Sequence, residues 1–515
     1  MKLLDQDLSF EALNGAVAAY AATADEAGLL AFCSAVKESG GRLVALWGCD
    51  ERERGQGFVL NVACGIEKGM AIVSLPLPAT DPEYPDLSEI FPAANRLQRA
   101  VFDLLGIRAR GGDPRPWLRH ANWPADFFPL RRDCDASQRF PARNEDYAFV
   151  RVEGDGVHEI PVGPIHAGII EPGHFRFSIV GEKVLRLEQR FGWTHKGIEK
   201  RFEQMSLADG YRLAGRVSGD STVAYAWAYC QAAEALTSTQ APARALWLRA
   251  LFLERERVAN HLGDLGYLGN DAALSFGLSQ FMRLKEDWQR LSGALFGHRL
   301  MMDAIVPGGV ACDLSRDGGE QISSQCDAIE REVLILKNIY DEHAGLQDRF
   351  LTTGRLDPAL AAELSVCGLV GRASSQAWDL RTQNPVAPYD QLETQIVTHR
   401  AGDVAARVAV RFEELIESLR LIRRIVSQLP QGERILPLAA PGADTGMGIG
   451  WVEGWRGDVL VALAADPEGN IRRCHCHDPS WLIWPALEHA IMGNIVPDFP
   501  LINKSFNLSY SGQDS

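Results

Sequence analysis

The chain has 515 residues, 46% apolar and 23% charged, with a formal net charge of −15. This length accommodates roughly two to four domains, and the composition is that of an ordinary globular protein. The acidic balance argues against nucleic-acid binding, which requires a basic stripe. No uncharged apolar run reaches the roughly 18 residues of a membrane span, and the N-terminus lacks the pattern of a secretory signal.

The ten cysteines are scattered singly, apart from the pair Cys474 and Cys476. Such spacing is typical of reduced, mostly buried thiols rather than of a disulfide framework. The run Cys474 to His477 reads Cys-His-Cys-His, and all four residues are of zinc-ligand type. On a strand the cysteines face one way and the histidines the other, so the four ligands cannot converge. We therefore expect a strand here rather than a zinc site.

The N-terminal part, residues 1–145, predicts a small α+β domain. An amphipathic segment from Phe10 to Ala35 precedes two strand-like runs, RLVALWG and GFVLNVACG, which a charged turn joins. A helix is predicted from Ala93 to Leu105. The segment 106–133 is dense in glycine, proline and tryptophan, so we expect it to be irregular and held by docking. A polar linker, residues 146–162, follows.

The remainder, residues 163–515, has a mainly helical pattern. Five segments carry this pattern: the first is small and apolar, and in the other four apolar residues recur at helical spacing. These segments are Ser221–Leu236, Trp247–Leu268, Leu278–Ile305, Glu320–Glu342 and Asp403–Leu429. In residues 410–426 of the last segment this spacing favours a bundle core over a cofactor site. Residues 451–477 predict a hairpin with ADPEGN as its turn. TGMGIG (445–450) leads into this strand pattern and not into a helix, which argues against a dinucleotide loop.

Two blocks of motifs resemble known families. Residues 104–133, LLGIRARGGDPRPWLRHANWPADFFPLRRD, are similar to the C-type subunit of complex I. The second half resembles the D-type subunit of complex I and, more closely, the large subunit of membrane-bound NiFe hydrogenases of the formate hydrogenlyase type. The motifs are, in the family's order, GPIH (163–166), EPGHFRF (171–177), HKGIEK (195–200), LERERVANHLGDLG (253–266), PGGV (307–310), GLVGRASSQAWDLR (368–381), GDVAARVAVRFEELIESLRLI (402–422) and EGWRGD (453–458). Fusion of the two parts is typical of the hydrogenlyase-type enzymes.

The resemblance also locates what is missing. Those hydrogenases hold nickel and iron with two CxxC pairs, and the four positions are here Ser218, Ser221, Asn507 and Tyr510. Thiolates are the soft ligands that such a centre needs, and hydroxyls and amides are poor substitutes. We therefore expect no NiFe centre, no metal and no cofactor bound by this chain.

The quinone site of complex I is incomplete as well. The family's arginine is present as Arg216, but the quinone-contacting tyrosine three residues later is replaced by Gly219. A histidine near the neighbouring iron–sulfur cluster is replaced by Met301. The resemblance thus leaves quinone binding open, and NAD binding would belong to another part of the assembly.

Seven residues are candidates for the site, each with an alternative. The resemblance implies that the loop with His166, Glu171 and His174 reaches the active cavity; the alternatives are solvated loop histidines and an exposed acid. If burial raises the pKa of Glu171, this residue could pass protons. His195 and Glu199 stand four apart and would share a helical face, as a proton relay or as a structural hydrogen bond near Lys196 and Lys200.

Arg216 and Asp220 complete the set. A fixed cation at Arg216 would stabilise a reduced iron–sulfur cluster in a partner subunit, or it would pair with Asp220 and shape the loop. Asp220, between the two serines, would exchange a proton, or it would fill the vacated pocket by pairing with Arg216 or Arg381.

The sequence therefore predicts an α+β docking domain fused to a mainly α-helical domain with short β-hairpins. The resemblance implies an electron-transfer subunit of a complex I-like, proton- or ion-translocating complex, peripheral on the cytoplasmic face of the inner membrane. Implied partners are an iron–sulfur small subunit with a 4Fe-4S cluster and antiporter-like membrane subunits. The alternative is a non-catalytic scaffold that docks the small subunit onto the membrane arm.

Overall fold

The computed structural model describes residues 8–135, 137–141, 143, 147–166, 170–442 and 446–515. Part of the predicted domain boundary, residues 144–146, and the first residue of TGMGIG lie outside these ranges. Helices and strands both contribute, in several small sheets, and the predicted α+β class is confirmed.

The N-terminal part builds a five-stranded sheet in the order β1-β2-β5-β4-β3, with β2 and β5 parallel and the other neighbours antiparallel. Its elements are β1 (Glu11–Ala12), β2 (Ala19–Thr23), α1 (Glu26–Glu38), β3 (Arg42–Asp50), β4 (Phe58–Ile66), β5 (Gly69–Leu77), β6 (Glu83–Pro85), α2 (Ala94–Leu105) and β7 (Arg108–Arg110). The two predicted strand runs become β3 and β4. The predicted helix is α2, which ends where Gly106 takes a left-handed φ of 76°.

The segment rich in glycine and proline is irregular apart from the three residues of β7. Asp103 of α2 holds it, because one carboxylate oxygen accepts hydrogen bonds from the backbone of Trp117 at 2.6 Å and Leu118 at 2.7 Å. Arg99 adds a bond to the carbonyl of Arg115 at 2.8 Å. The expected docking is therefore present, and side chains of α2 provide it.

The second half alternates small sheets with a helical bundle. Its elements are β8 (Val157–Val162), β9 (His174–Val180), β10 (Lys183–Arg190), α3 (Ile198–Phe202), α4 (Gly210–Ala214), α5 (Thr222–Leu236), α6 (Ala243–Asp271), α7 (Ser275–Phe296), β11 (Ile305–Val306), β12 (Gly309–Val310), α8 (Arg316–Glu342), α9 (Ala344–Phe350), α10 (Pro358–Glu363), α11 (Gly368–Ala373), α12 (Leu380–Gln383), α13 (Tyr389–Leu392), α14 (Val404–Gln428), β13 (Gly448–Glu453), β14 (Asp458–Ala465), β15 (Ile471–His477), α15 (Ser480–Ala490), α16 (Phe499–Phe506) and α17 (Tyr510–Asp514).

Helix α5 is the centre of this half, since every one of its residues is buried. It packs against β13 and β14 on one side and contacts α6 on another. Helices α6, α7, α8 and α14 form the bundle. The five predicted helices are present, but the one predicted to run to Ile305 ends at Phe296, because Gly297 adopts a left-handed φ of 82°.

The two halves share an apolar layer. One face of the N-terminal sheet carries Trp47 and Met70, and it packs against Ile449, Trp451 and Leu460 of the β13-β14-β15 sheet in one buried cluster. This packing explains why all nine residues of β3 are buried, although a strand with one solvated face would alternate.

Among the described residues, no helix combines the length and the apolar composition needed to cross a membrane.

Candidate functional site

Four parts of the chain meet around Asp220. The residue lies in a 3₁₀ turn, Gly219–Ser221, directly before α5. The middle of α6 approaches from one side, where Asn260 donates to the carbonyl of Asp220 at 2.8 Å. The β13–β14 loop contributes Trp455, which donates to the same carbonyl at 2.9 Å, and Arg456. The C-terminal segment contributes Ser509. We call this place the central pocket.

An ion pair occupies the central pocket. Arg456 donates to both carboxylate oxygens of Asp220, at 2.6 Å and 2.8 Å, and Ser218 donates to one of them at 2.9 Å. The side chain of Arg456 is only 5% exposed, whereas that of Asp220 is 41% exposed and lies at the mouth. Burial of its protein-facing side raises the pKa of Asp220, but Arg456 outweighs this and lowers the pKa to about 2.

The predicted partners of Asp220 were wrong. Arg216 points outward and forms a two-pronged ion pair with Asp303, with one N–O distance of 2.8 Å. Arg381 is committed to a buried cluster with Asp379, at 2.7 Å, and Glu254, at 3.1 Å. The prediction that an arginine neutralises Asp220 has the right chemistry and the wrong residue, because Arg456 reaches the site from a distant hairpin.

The four positions of the missing cysteines do not fit a soft metal centre. Ser218 shares a hydrogen bond with Ser509 at 2.9 Å, and Ser221 lies 3.4 Å from Arg456. Asn507 donates its amide to Asp264 at 2.6 Å. The ring of Tyr510 packs in an aromatic cluster with Trp484, at 5.0 Å between centroids. These groups bond to protein neighbours and offer no thiolate.

In the Cys-His-Cys-His run on β15, the thiols and the imidazoles lie on opposite faces of the strand. The sulfurs of Cys474 and Cys476 lie 3.9 Å apart on one face of β15, and the rings of His475 and His477 lie 6.2 Å apart. Strand alternation thus separates the thiols from the imidazoles, as the pattern predicts. Within the described part of the chain, no group of three or more His, Cys, Asp or Glu side chains is arranged to hold a metal ion.

The side chains of the two loop histidines form hydrogen bonds with backbone carbonyl groups of their own loop. His166 bonds through Nε2 to the carbonyl of Gly173 at 2.7 Å, and His174 bonds through Nδ1 to the carbonyl of Gly163 at 3.2 Å. Burial lowers the pKa of His174. Glu171 accepts from the backbone of Ser511 at 3.3 Å. This last contact links the loop to the C-terminal segment beside the central pocket.

His195 and Glu199 do not share a helical face, because α3 begins only at Ile198. His195 bonds to the carbonyl of Asp514 at 2.7 Å. Glu199 is buried and pairs with Arg473 at 2.9 Å and His475 at 2.5 Å. Burial raises the pKa of Glu199, but its contacts with Arg473 and His475 outweigh this effect and lower the pKa to about 2.

The cluster around Glu199 joins the two halves of the chain. His475 stacks on Trp47 of β3, with 5.1 Å between ring centroids and 10° between planes. Arg473 donates to the carbonyl of Gly48 at 3.1 Å. We call the four side chains Glu199, Arg473, His475 and Trp47 the interdomain clamp.

Two site residues were not predicted from the sequence: Arg456, and Glu256 of α6, which lines a cavity with Asp220 and accepts a hydrogen bond from the backbone of Val223 at 2.7 Å. Both lie within motifs that carry the resemblance, LERERVANHLGDLG and EGWRGD. Nothing in a charged helical pattern distinguishes Glu256 from its neighbours Glu254 and Arg255. Contacts between distant parts of the chain, and not spacing, are the signal that identifies them.

Comparisons with known proteins agree with this architecture. Residues 22–140 match the family described as the 30 Kd subunit of respiratory-chain NADH dehydrogenase, and residues 271–439 match its 49 Kd subunit family. Formate hydrogenlyase subunit 5 of Escherichia coli K12 is 31% identical over 93% of this chain and 85% of its own length. The fused C/D-type subunit of NADH-quinone oxidoreductase from Phocaeicola vulgatus is 26% identical, over 82% of this chain and 85% of its own length.

A solved structure shares the fold. A chain of the membrane-bound sulfane sulfur reductase, an archaeal respiratory membrane complex, superposes with a TM-score of 0.65 at 24% identity, covering 70% of this chain and 99% of that one. Fold and sequence matches together define a chain in which a 30-Kd-type part and a 49-Kd-type part are fused. The chain belongs to the family of fused 30-Kd and 49-Kd-type subunits that includes formate hydrogenlyase subunit 5.

Proposed function

We propose that this chain is an electron-transfer subunit of a membrane-associated, complex I-like complex that translocates protons or other ions, and that it has no hydrogenase activity. The observation that carries the proposal is the Asp220–Arg456 pair, at 2.6 Å, in the central pocket. A guanidinium is a poor neighbour for a metal cation, and the hydroxyl and amide groups nearby bond to protein partners.

The partners are proposed from the relatives. Their names describe subunits of a formate hydrogenlyase and of an NADH-quinone oxidoreductase, and the solved structure is a respiratory membrane complex. We propose an iron–sulfur small subunit with a 4Fe-4S cluster beside Arg216, and antiporter-like membrane subunits. The chain would be peripheral on the cytoplasmic face of the inner membrane. Quinone remains a candidate acceptor.

In this proposal Arg216 senses negative charge. Its side chain is 40% exposed and its partner Asp303 is 37% exposed, so both are accessible to a docking subunit. A cation at such a surface favours the reduced, more negative state of a neighbouring redox group. The resulting change in field would act on the Asp220–Arg456 pair and, through Ser511 and Glu171, on the histidine loop.

The second candidate is a scaffold without a redox role. The observation that favours it is that all four of these predicted site residues bond to partners within the protein: Arg216, Asp220, Glu199 and His195. Such a chain would hold the iron–sulfur subunit against the membrane arm while the chemistry takes place elsewhere.

Replacing Arg216 separates the two candidates. Arg216→Gln removes the charge but keeps a polar side chain on the surface. If the chain takes part in electron transfer, turnover and ion translocation of the purified complex fall about tenfold or more, while all subunits still copurify. A scaffold keeps both rates.

The matched control is Arg316→Gln, an arginine with a 92% exposed side chain on α8 that pairs with Glu320. It removes one surface charge outside the set of residues that line the cavity at Asp220, and it leaves turnover unchanged. Loss of turnover in both variants would show a general charge effect and would contradict the role of Arg216.

A further inference from the structure

We propose that Glu256 is a buried proton-binding site that exchanges its proton with the mouth of the central pocket through Asp220. The site is a property of this chain alone. Only the biological use of its proton rests on the proposed function.

Glu256 projects from α6 towards the first turn of α5. Its carboxyl group accepts hydrogen bonds from the backbone of Val223 at 2.7 Å and of Ala224 at 3.3 Å. The residue is 5% exposed. It lines a cavity of about 20 Å³ together with Asp220 and Asn260. A space of that size holds about one water molecule.

The surroundings of Glu256 favour its protonated form. Burial raises its pKa to about 8, and the charge of Asp220 adds to the rise, whereas the backbone donors of Val223 and Ala224 and the charge of Arg257 oppose it without cancelling it. The other charged groups around the cavity are Arg255 on the same helix and Arg299, together with Lys285 on α7, which acts on Asp220. These cations do not form an ion pair with Glu256, in contrast to the pair that Arg456 forms with Asp220.

The two carboxyl groups therefore have different roles: Glu256 binds the proton, and Asp220 transfers it. Asp220 is ionised, with a pKa of about 2, and lies at the mouth with 41% of its side chain exposed. A proton leaves the Glu256 carboxyl, crosses the cavity to an oxygen of Asp220, and passes from there to solvent or to a group on a docked partner. Only O–H bonds form and break, and no electron moves. Because Arg456 lowers the pKa of Asp220, the proton stays on Asp220 only briefly, and Glu256 is the group that binds it.

Infrared spectroscopy of the full chain tests the binding site. A titration centred on about pH 8 should show the C=O stretch of a protonated carboxyl that Glu256→Gln removes. The control Glu320→Gln, on an exposed stretch of α8, should keep the band. A wild-type band that Glu256→Gln leaves unchanged would overturn the proposal.

Deuterium exchange at the same carboxyl tests the route. At a pH where Glu256 is protonated, Asp220→Asn should slow the exchange of its proton by about tenfold or more, and Asp220→Glu should restore it. Equal rates in the wild-type protein and Asp220→Asn would overturn the route. Both measurements use the chain without its partners, so they can succeed or fail independently of the electron-transfer proposal.

Discussion

Two carboxyl groups on one small cavity differ widely in proton affinity. Asp220 meets the guanidinium of Arg456 at 2.6 Å, and its pKa falls to about 2. In the described part of the chain, the hydrogen-bond donors to Glu256 are backbone N–H groups, whose effect burial outweighs, so its pKa rises to about 8. The contrast follows from a single ion pair, because an opposite charge in contact outweighs the cost of burial.

Breaking that pair should destabilise the protein. Asp220→Asn leaves the guanidinium of Arg456, 5% exposed, without its counter-ion. We expect a loss of roughly 2 kcal/mol in the free energy of unfolding, below the usual cost for a buried pair because Asp220 is partly solvated. Denaturant unfolding measures it.

The double variant Asp220→Asn with Arg456→Met should recover part of this loss, since no charge remains buried. The control Asp209→Asn breaks an exposed pair with Arg212 and should cost less than about 1 kcal/mol. If Asp220→Asn alone lowers the free energy of unfolding no more than Asp209→Asn does, the Asp220–Arg456 pair does not stabilise the protein.

The raised pKa of Glu256 predicts that the free energy of unfolding depends on pH. Its folded pKa, about 8, lies above its ordinary value of 4.5, so the folded state binds the proton more tightly. The stabilisation is complete below pH 4.5 and is lost as the pH rises through about 8. The loss amounts to roughly 5 kcal/mol, since each pKa unit is worth about 1.4 kcal/mol.

Glu256→Gln should flatten this slope in denaturant unfolding at a series of pH values. A variant with the slope of the wild-type protein would show that Glu256 is ionised at neutral pH.

Single residues were predictable only in part. The position of Asp220 between Ser218 and Ser221 correctly indicated a carboxylate in the central pocket. Its partner was not predictable, because Arg456 is 236 residues away along the chain. Spacing reports neighbours on one element, and it carries no information on which distant loop supplies a charge.

Among the elements, periodicity identified the long helices and failed at their ends. The apolar pattern of α7 continues past Phe296, but Gly297 ends the helix. Strand β8 lies within the predicted polar linker and pairs with β9. Its alternation is weak because most of its residues are exposed or half-buried.

The contact between β13 and α5 depends on glycine. A Cβ atom at Gly450 would overlap the carbonyl oxygen of Ala228 on α5. Gly450→Ala must therefore push the strand away from the helix, and we expect a loss of at least about 2 kcal/mol in denaturant unfolding.

The control for Gly450 is Gly293→Ala in α7, where the nearest atom would be 3.7 Å from the new Cβ. This half-buried helical position has room for the methyl group and should be neutral or gain up to about 1 kcal/mol, because alanine favours the helix. Equal effects at the two glycines would contradict the close packing of β13 on α5.

At the scale of the whole molecule, two sets of contacts join the N-terminal part to the second half of the chain. The apolar layer between the two sheets and the interdomain clamp bury residues from both parts of the chain. No pattern in the sequence shows that a strand such as β3 has two covered faces, since the second cover comes from the far end of the chain.

The interdomain clamp should be sensitive to acid. The folded pKa of Glu199, about 2, lies below its ordinary value of 4.5. Its contribution is therefore complete above pH 4.5 and is lost as the pH falls through about 2. Hydrogen exchange in β3 measures the effect, and Glu199→Gln should raise the exchange rate at neutral pH and abolish the share of the acid response due to Glu199.

Glu320→Gln, on the solvent side of α8, should leave exchange in β3 unchanged. Wild-type exchange in Glu199→Gln would mean that the clamp does not hold the halves together.

The Asp220–Arg456 ion pair fills the central pocket, and we expect no metal ion there. Elemental analysis of the purified assembly tests this directly. We predict iron attributable to partner iron–sulfur clusters and no nickel in stoichiometric amount. One nickel per chain, lost when Ser218 or Asp220 is replaced, would contradict the account.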